Sequence, residues 1–157
     1  MANLNNTHDA HVNEYLKHNF DSKVIALANH LNINPSEVCE TYDDSNFEAD
    51  GAEYMVLTDS EADAYALDYI RESVWAFNAS FLSNMTDLPE SMFEAVQDQC
   101  ERGNDAILQC IEQSCGLDRF AAEAMSRDGR GHFMSSYDGE ENEELVNGEW
   151  FYIYRTN

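Results

Sequence analysis

Two short runs of this chain read as strands, and nearly a hundred residues separate them. They are EYMVLT at 53–58 and WFYIYR at 150–155. Both are rich in β-branched and aromatic side chains, and the second alternates Phe151 and Ile153 against Tyr152 and Tyr154, as a half-buried strand does. A strand cannot satisfy its own backbone groups, so each run needs a partner. Each is preceded by a hairpin signal, Asp50-Gly51 and Asn147-Gly148, dipeptides that accept positive φ at both positions. The stretch between them is patterned for helices. The expectation is an α+β chain: a mostly helical single domain over residues 1–157, loosely ordered at 1–10. Its small antiparallel sheet is formed by the strand near residue 54 and the C-terminal hairpin.

Helical spacing appears first at 8–20, through Val12, Tyr15, Leu16 and Phe20, and again at 21–33, through Val24, Leu27, Ala28 and Leu31 with Asp21 or Ser22 as cap. Pro35 suits the first position of a short turn of helix. A long helix is predicted after Thr58, which with Glu61 makes a capping box. Its expected buried stripe is Ala62, Ala66, Tyr69, Ser73 and Phe77. A short helix near 79–85 follows. Pro89 opens the next, with Met92, Phe93, Val96 and Cys100 on one face and Gly103 as its stop. Asn104 is the expected cap of another helix, ended by Gly116, and 117–129 is the last.

The charge balance restricts function more than fold. There are 31 Asp and Glu against 8 Lys and Arg, a formal net charge of -23. Hydrophobic residues still make up 43%, with 8 Tyr, 8 Phe and 2 Trp, so the chain has the material for a core and is not an acidic tail. Such a charge opposes direct binding to nucleic acid and to anionic membrane surfaces, both of which need a cationic footprint. No window reaches the roughly 18 apolar residues of a membrane span. The start of the chain has neither the basic nor the apolar segment of a secretory signal. Cys39, Cys100, Cys110 and Cys115 lack paired metal-ligand spacing and are expected to be reduced and mostly buried. Asn5, Asn78 and Asn84 begin glycosylation-type triplets that a cytosolic chain would not use.

Catalytic signals are sparse. The loop region 128–148 offers His132, Asp138, Glu140 and Glu141 as conceivable ligands of a divalent metal. It has no EF-hand pattern, and its glycines suit turns. It reads as a connection from the last helix to the terminal hairpin, with Arg127 and Arg130 offsetting nearby acids. Nucleophile elbows, phosphate-cradling glycine loops and local cysteine signatures are absent. His8, His11 and His18 are spaced for one helix face but read, with His30, as solvated side chains. Thirty-one acids offer many carboxylate pairs without suggesting glycoside chemistry. Residues 22–42 have the rhythm of a helix-turn-helix, yet the second segment carries Glu37 and Glu40 and no base-reading cation. No cofactor is expected.

The clustering of negative charge remains. Residues 40–72 hold eleven acids and one arginine, and 138–149 hold six more acids. Glu61, Asp68 and Glu72 recur at i, i+7 and i+11, which sets them on one helix face with rises of about 10 Å and 6 Å. The stretches EYMVLTDSEADAYALDYIRESVWAFNASFL, DGRGHFMSSYDGEENE and FYIYRTN resemble a family of small acidic proteins of tailed bacteriophages. The resemblance implies a phage origin and a location in the host cytoplasm, and it carries over no catalytic residue. Small acidic phage proteins include inhibitors of restriction and CRISPR nucleases, some of them mimics of DNA. The expected function is therefore non-enzymatic: binding and inhibition of a basic, DNA- or RNA-binding host protein, with no contact to nucleic acid or membrane. The residues expected to present charge are Asp59, Glu61, Asp63, Asp68 and Glu72, with Asp138, Glu140, Glu141, Glu143 and Glu144 as a second patch. The alternatives are a small metal-dependent hydrolase using His132 with Asp138 or Glu140, and a structural or assembly protein. The sequence is compatible with a homo-oligomer.

Overall fold

The computed structural model describes residues 12, 14–16 and 19–157. His8, His11, His18 and the expected loose stretch 1–10 lie outside them. The described residues among 12–19 are helical, as their spacing predicts. The fold is α+β, mostly helical with one small antiparallel sheet. Its contacts gather the chain into two compact units, one running up to Glu61 and resuming at Ser135–Asn157, the other Ala62–Met134.

The first unit contains helix α1 (Ser22–Leu31) and strands β1 (Cys39–Glu40), β2 (Asn46–Ala49), β3 (Ala52–Thr58), β4 (Asn142–Val146) and β5 (Glu149–Arg155). The sheet order is β1-β2-β3-β5-β4, with every neighbour antiparallel. The two strand runs recognised in the sequence are direct partners, from Tyr54 opposite Arg155 to Thr58 opposite Phe151. Both expected hairpins form. Asp50 and Gly51 have φ 49° and 72°, Asn147 and Gly148 have 55° and 86°, and this left-handed pair is what a tight two-residue turn demands. The sheet packs one face against α1. Phe47, Ala49, Ala52, Tyr54, Val56, Val146, Phe151 and Ile153 meet Val24, Ile25, Ala26 and Leu27 in one buried cluster. Each large aliphatic or aromatic side chain buried there contributes about 1.5–3 kcal/mol.

Local signals set the limits of α1. The Asp21 carboxylate accepts from the Lys23 N–H at its start, and Asn32 takes the left-handed φ of 55° at its end. The next segment departs from a helix-turn-helix. Pro35–Glu37 is a single 3-10 turn, after which the chain runs into the edge strand β1, so Glu37 and Glu40 belong to no recognition helix.

Helix α2 (Asp59–Ser73) contains the boundary between the units. It is followed in the second unit by a 3-10 turn (Val74–Ala76), α3 (Ala79–Thr86), α4 (Glu90–Gln97), a second 3-10 turn (Cys100–Gly103), α5 (Asn104–Ser114), α6 (Leu117–Asp128) and the short α7 (Arg130–Met134). The buried stripe of α2 is Ala62, Ala66 and Ile70, continued by Val74, not the predicted Tyr69 and Ser73. Tyr69 is exposed and lays its ring near Phe133 at a centroid distance of 6.2 Å. Adjacent Tyr69 and Ile70 both fit an apolar stripe on spacing alone, and the smaller, wholly apolar side chain takes the interior.

Three further expectations are corrected in this unit. Helix α4 stops at Gln97, so Cys100 does not share its face but sits exposed in the reversal, at φ 53°. Gly103 is buried at the entrance to α5. It lacks a side chain because a Cβ there would lie 2.6 Å from the Val96 carbonyl oxygen. Asn104 does not cap its own helix. Its side-chain oxygen accepts from the Trp75 N–H at 3.1 Å and its amide donates to the Arg71 carbonyl at 2.9 Å, tying α5 to the end of α2. The cysteines also differ from the buried thiols expected: Cys39 and Cys100 are exposed, Cys110 and Cys115 partly exposed, and all four are free. Cys39 lies on an edge strand and Cys100 on a turn, where no core is available to cover them.

Candidate protein-interaction surface

The charge pattern becomes a surface because the buried polar residues are so few. Among the described residues they are Lys23, Ser45, Thr86 and Ser135, and no Asp or Glu is with them. Every described carboxylate therefore reaches solvent. Among the described residues, no buried side-chain nitrogen or oxygen lacks a hydrogen-bond partner. No group of three or more His, Cys, Asp or Glu side chains converges as a metal site there either.

The acids singled out in the sequence have distinct roles. Glu61 is an internal structural partner. Its carboxylate lies 3.0 Å from the Lys23 ammonium and accepts from the Thr58 N–H at 2.8 Å, while Lys23 also donates to Ser45 Oγ at 3.0 Å. Burial pushes the Glu61 carboxyl up, but the hydrogen bonds from the Thr58 N–H, Lys23 and the Thr58 hydroxyl outweigh it, and its pKa is lowered. Asp63 pairs with Arg130 at 2.9 Å, and Asp68 pairs with Arg71 one turn on. Asp59 and Glu72 are exposed. The expected local role of the arginines changes accordingly: Arg130 reaches Asp63, and Arg127 lies over the Phe81 ring at 4.9 Å.

In the loop after Ser135, Asp138 accepts from the Ser135 hydroxyl at 2.7 Å and the Glu140 N–H at 3.0 Å. The serine bond and then the backbone bond hold its carboxyl below the usual range. Glu141 accepts from the buried Tyr154 hydroxyl. Glu143 and Glu144 lie on β4, the edge strand, opposite Tyr152 and Phe151. His132 belongs to α7 in the other unit, its ring edge-on to Phe133. The acids are also not confined to the two expected patches. Glu90 and Glu94 on α4, Asp105 and Glu112 on α5, and Asp118 and Glu123 on α6 are all exposed.

The sheet carries two features that the sequence reading did not single out. On the face opposite α1, Glu48 and Glu53 stand directly across β2 and β3, both exposed. Like charges in that position are destabilising, so the fold tolerates a local cost there. On the same face, at the other end of the sheet, Leu145 and Trp150 form a cross-strand pair, 52% and 47% exposed. The parity of WFYIYR signals this: if Phe151 and Ile153 point inward, Trp150 and Tyr152 point the other way. Beside the pair is an open groove of about 660 Å³ whose walls include Thr58, Asp59, Glu149, Trp150 and Tyr152.

No family model, curated protein or solved structure matches this chain. Among the described residues no helix is long and apolar enough to cross a membrane.

Proposed function

We propose that this chain is a non-catalytic, phage-encoded accessory protein that binds and inhibits a basic, nucleic-acid-binding protein of the host. It presents to that partner the negative charge that DNA or RNA would offer. One observation carries the reading: all described carboxylates reach solvent, in a chain whose acids outnumber its Lys and Arg by 23. A folded scaffold holds those charges in place. It thus attracts a cationic cleft without the ordering cost of a flexible acidic tail. The resemblance to small acidic phage proteins supports the setting. The electrostatic reach is about 8 Å at physiological salt, so the attraction is strong at low ionic strength and screened at high.

The test is capture from a bacterial lysate on the immobilised chain. At about 0.05 M salt it is expected to retain DNA- or RNA-binding proteins, to release them at about 0.5 M, and to release them also to added duplex DNA. Capture that is indifferent to salt and to duplex would oppose the reading. Within α2, the charges to reverse are Asp68 and Glu72. Reversing Glu61 as well would disturb Lys23 and confuse a folding defect with lost binding.

A further inference from the structure

We propose that a cleft in the second unit binds a free aromatic amino acid. This goes beyond the function proposed above and does not depend on it. Two cavities of about 240 Å³ and 220 Å³ adjoin there, since Phe77, Asn78 and Asp128 line both. All the residues that line them fall within Ala62–Met134. Each is smaller than the roughly 300 Å³ of a typical ligand pocket, so the pair suits a ligand of amino-acid size.

The polar groups of the first cavity define its occupant. Asn78 and Ser80 are engaged with each other: the Asn78 side-chain oxygen accepts from the Ser80 N–H at 2.9 Å and from its hydroxyl at 2.6 Å. Arg127 and Asp128, the last two residues of α6, are not engaged in this way. The Arg127 guanidinium lies over the Phe81 ring, 4.9 Å from its centroid, and that contact leaves its N–H donors for a ligand. Among the described residues those donors meet no acceptor, the Asp128 carboxylate meets no donor, and no ion pair joins the two. Asp128 also stands at the negative end of the α6 dipole, a cost that a bound cation would offset.

An unpaired cation and an unpaired anion on one cavity wall match a ligand that carries both charges. A phosphate would meet Asp128 and the field of a chain with net charge -23. A simple cation would leave the Arg127 donors unmet. An apolar ligand would strip water from both groups without replacing it. An α-amino acid carries ammonium and carboxylate on one carbon, and its zero net charge escapes the overall field. Its carboxylate is received by the Arg127 fork and its ammonium by Asp128. Phe77 and Phe81 wall the first cavity, and Tyr69 and Phe133 the second, so an aromatic side chain meets ring edges in both.

The experiment is calorimetric titration of the full chain with L-phenylalanine and three analogues. Phenylpropionate lacks the ammonium, phenethylamine the carboxylate, and L-alanine the ring. L-phenylalanine is expected to bind with a Kd below about 1 mM, and each analogue at least about tenfold more weakly. Arg127→Gln is expected to weaken L-phenylalanine about tenfold while leaving phenethylamine within about twofold of its native affinity. Asp128→Asn should do the same to L-phenylalanine and spare phenylpropionate. These crossed effects separate direct contact from a folding defect, and both residues are exposed, so the variants should keep the native circular dichroism. Affinity for the zwitterion should change less than about threefold between about 0.05 M and 0.5 M salt. Failure of L-phenylalanine to bind at about 10 mM, or equal binding of all three aromatic ligands, would overturn the site. Native affinity for L-phenylalanine in both variants would overturn it too.

Discussion

Glu61→Ala is expected to destabilise the protein by about 2–3 kcal/mol, far more than loss of an ordinary surface acid. The Lys23 side chain is only 9% exposed, and its ammonium has two partners here, Glu61 and Ser45. Removing the carboxylate leaves a buried cation with a hydroxyl alone, and the capping bond to the Thr58 N–H is lost as well. The Glu61 side chain is 39% exposed, so water screens part of the pair, and the estimate is set below the 3–5 kcal/mol typical of a fully buried one. Lys23→Met with Glu61→Gln removes both charges together and should recover much of the loss. The pH dependence follows from the direction of the shift. The folded-state pKa of Glu61 is lowered, so its contribution is present above the ordinary carboxyl value and disappears as pH falls through the folded one. The difference in melting temperature between native and Glu61→Ala proteins should be full at neutral pH and shrink below about pH 4.5. A difference that is constant down to about pH 3 would show that the carboxylate's charge is not what holds Lys23.

Phe120→Ala is expected to cost about 3–5 kcal/mol, a large share of the roughly 5–15 kcal/mol that stabilises a typical domain. Phe120 on α6 has no exposed surface. Its ring meets Phe77 edge-on at 5.2 Å and Phe81 at 5.1 Å, and Phe77 stacks on Phe133 at 6.0 Å. Truncation removes the transfer energy of one aromatic ring, leaves a void beside Phe77 and Phe81, and forfeits both ring contacts. Urea unfolding followed by far-UV circular dichroism measures it. Phe120→Leu, which keeps most of the volume, should lose much less. Equal losses for the two would mean that ring packing is not the main contribution.

What the sequence disclosed and what it withheld divide along the range of the interaction. The Asp50-Gly51 and Asn147-Gly148 turns were legible because positive φ is a local demand that few residues meet. The Thr58 and Glu61 box and the Asp21 cap were legible for similar reasons. The pairing of the two strand runs is long-range, and was legible because each run needed a partner and the stretch between them is patterned for helices. Gly103 was misread because its role is tertiary: it admits the Val96 carbonyl from the preceding helix, and glycine at a helix end looks the same in sequence as a C-terminal stop. Asn104 was misread likewise, since the groups it bonds are 29 and 33 residues away. Among the site residues, Glu61 met the spacing rule for a shared helix face, yet its partner Lys23 lies 38 residues upstream and turns it to a structural use. Trp150 was the reverse case. Its exposure was implied by strand alternation, but an aromatic-rich run reads as core unless each position is assigned to a face.

In the proposed function, fixed surface carboxylates compete with nucleic acid for a cationic cleft. The most direct measurement is the affinity of the purified chain for the partner recovered by capture, taken over a range of salt with and without duplex DNA. Affinity should fall steeply and log-linearly with salt, and duplex should displace the chain competitively. Asp68→Lys with Glu72→Lys should weaken binding at every salt concentration without altering the melting temperature by more than about 2 °C. An affinity flat in salt, or a ternary complex in which the partner holds both this chain and the duplex, would contradict the claim.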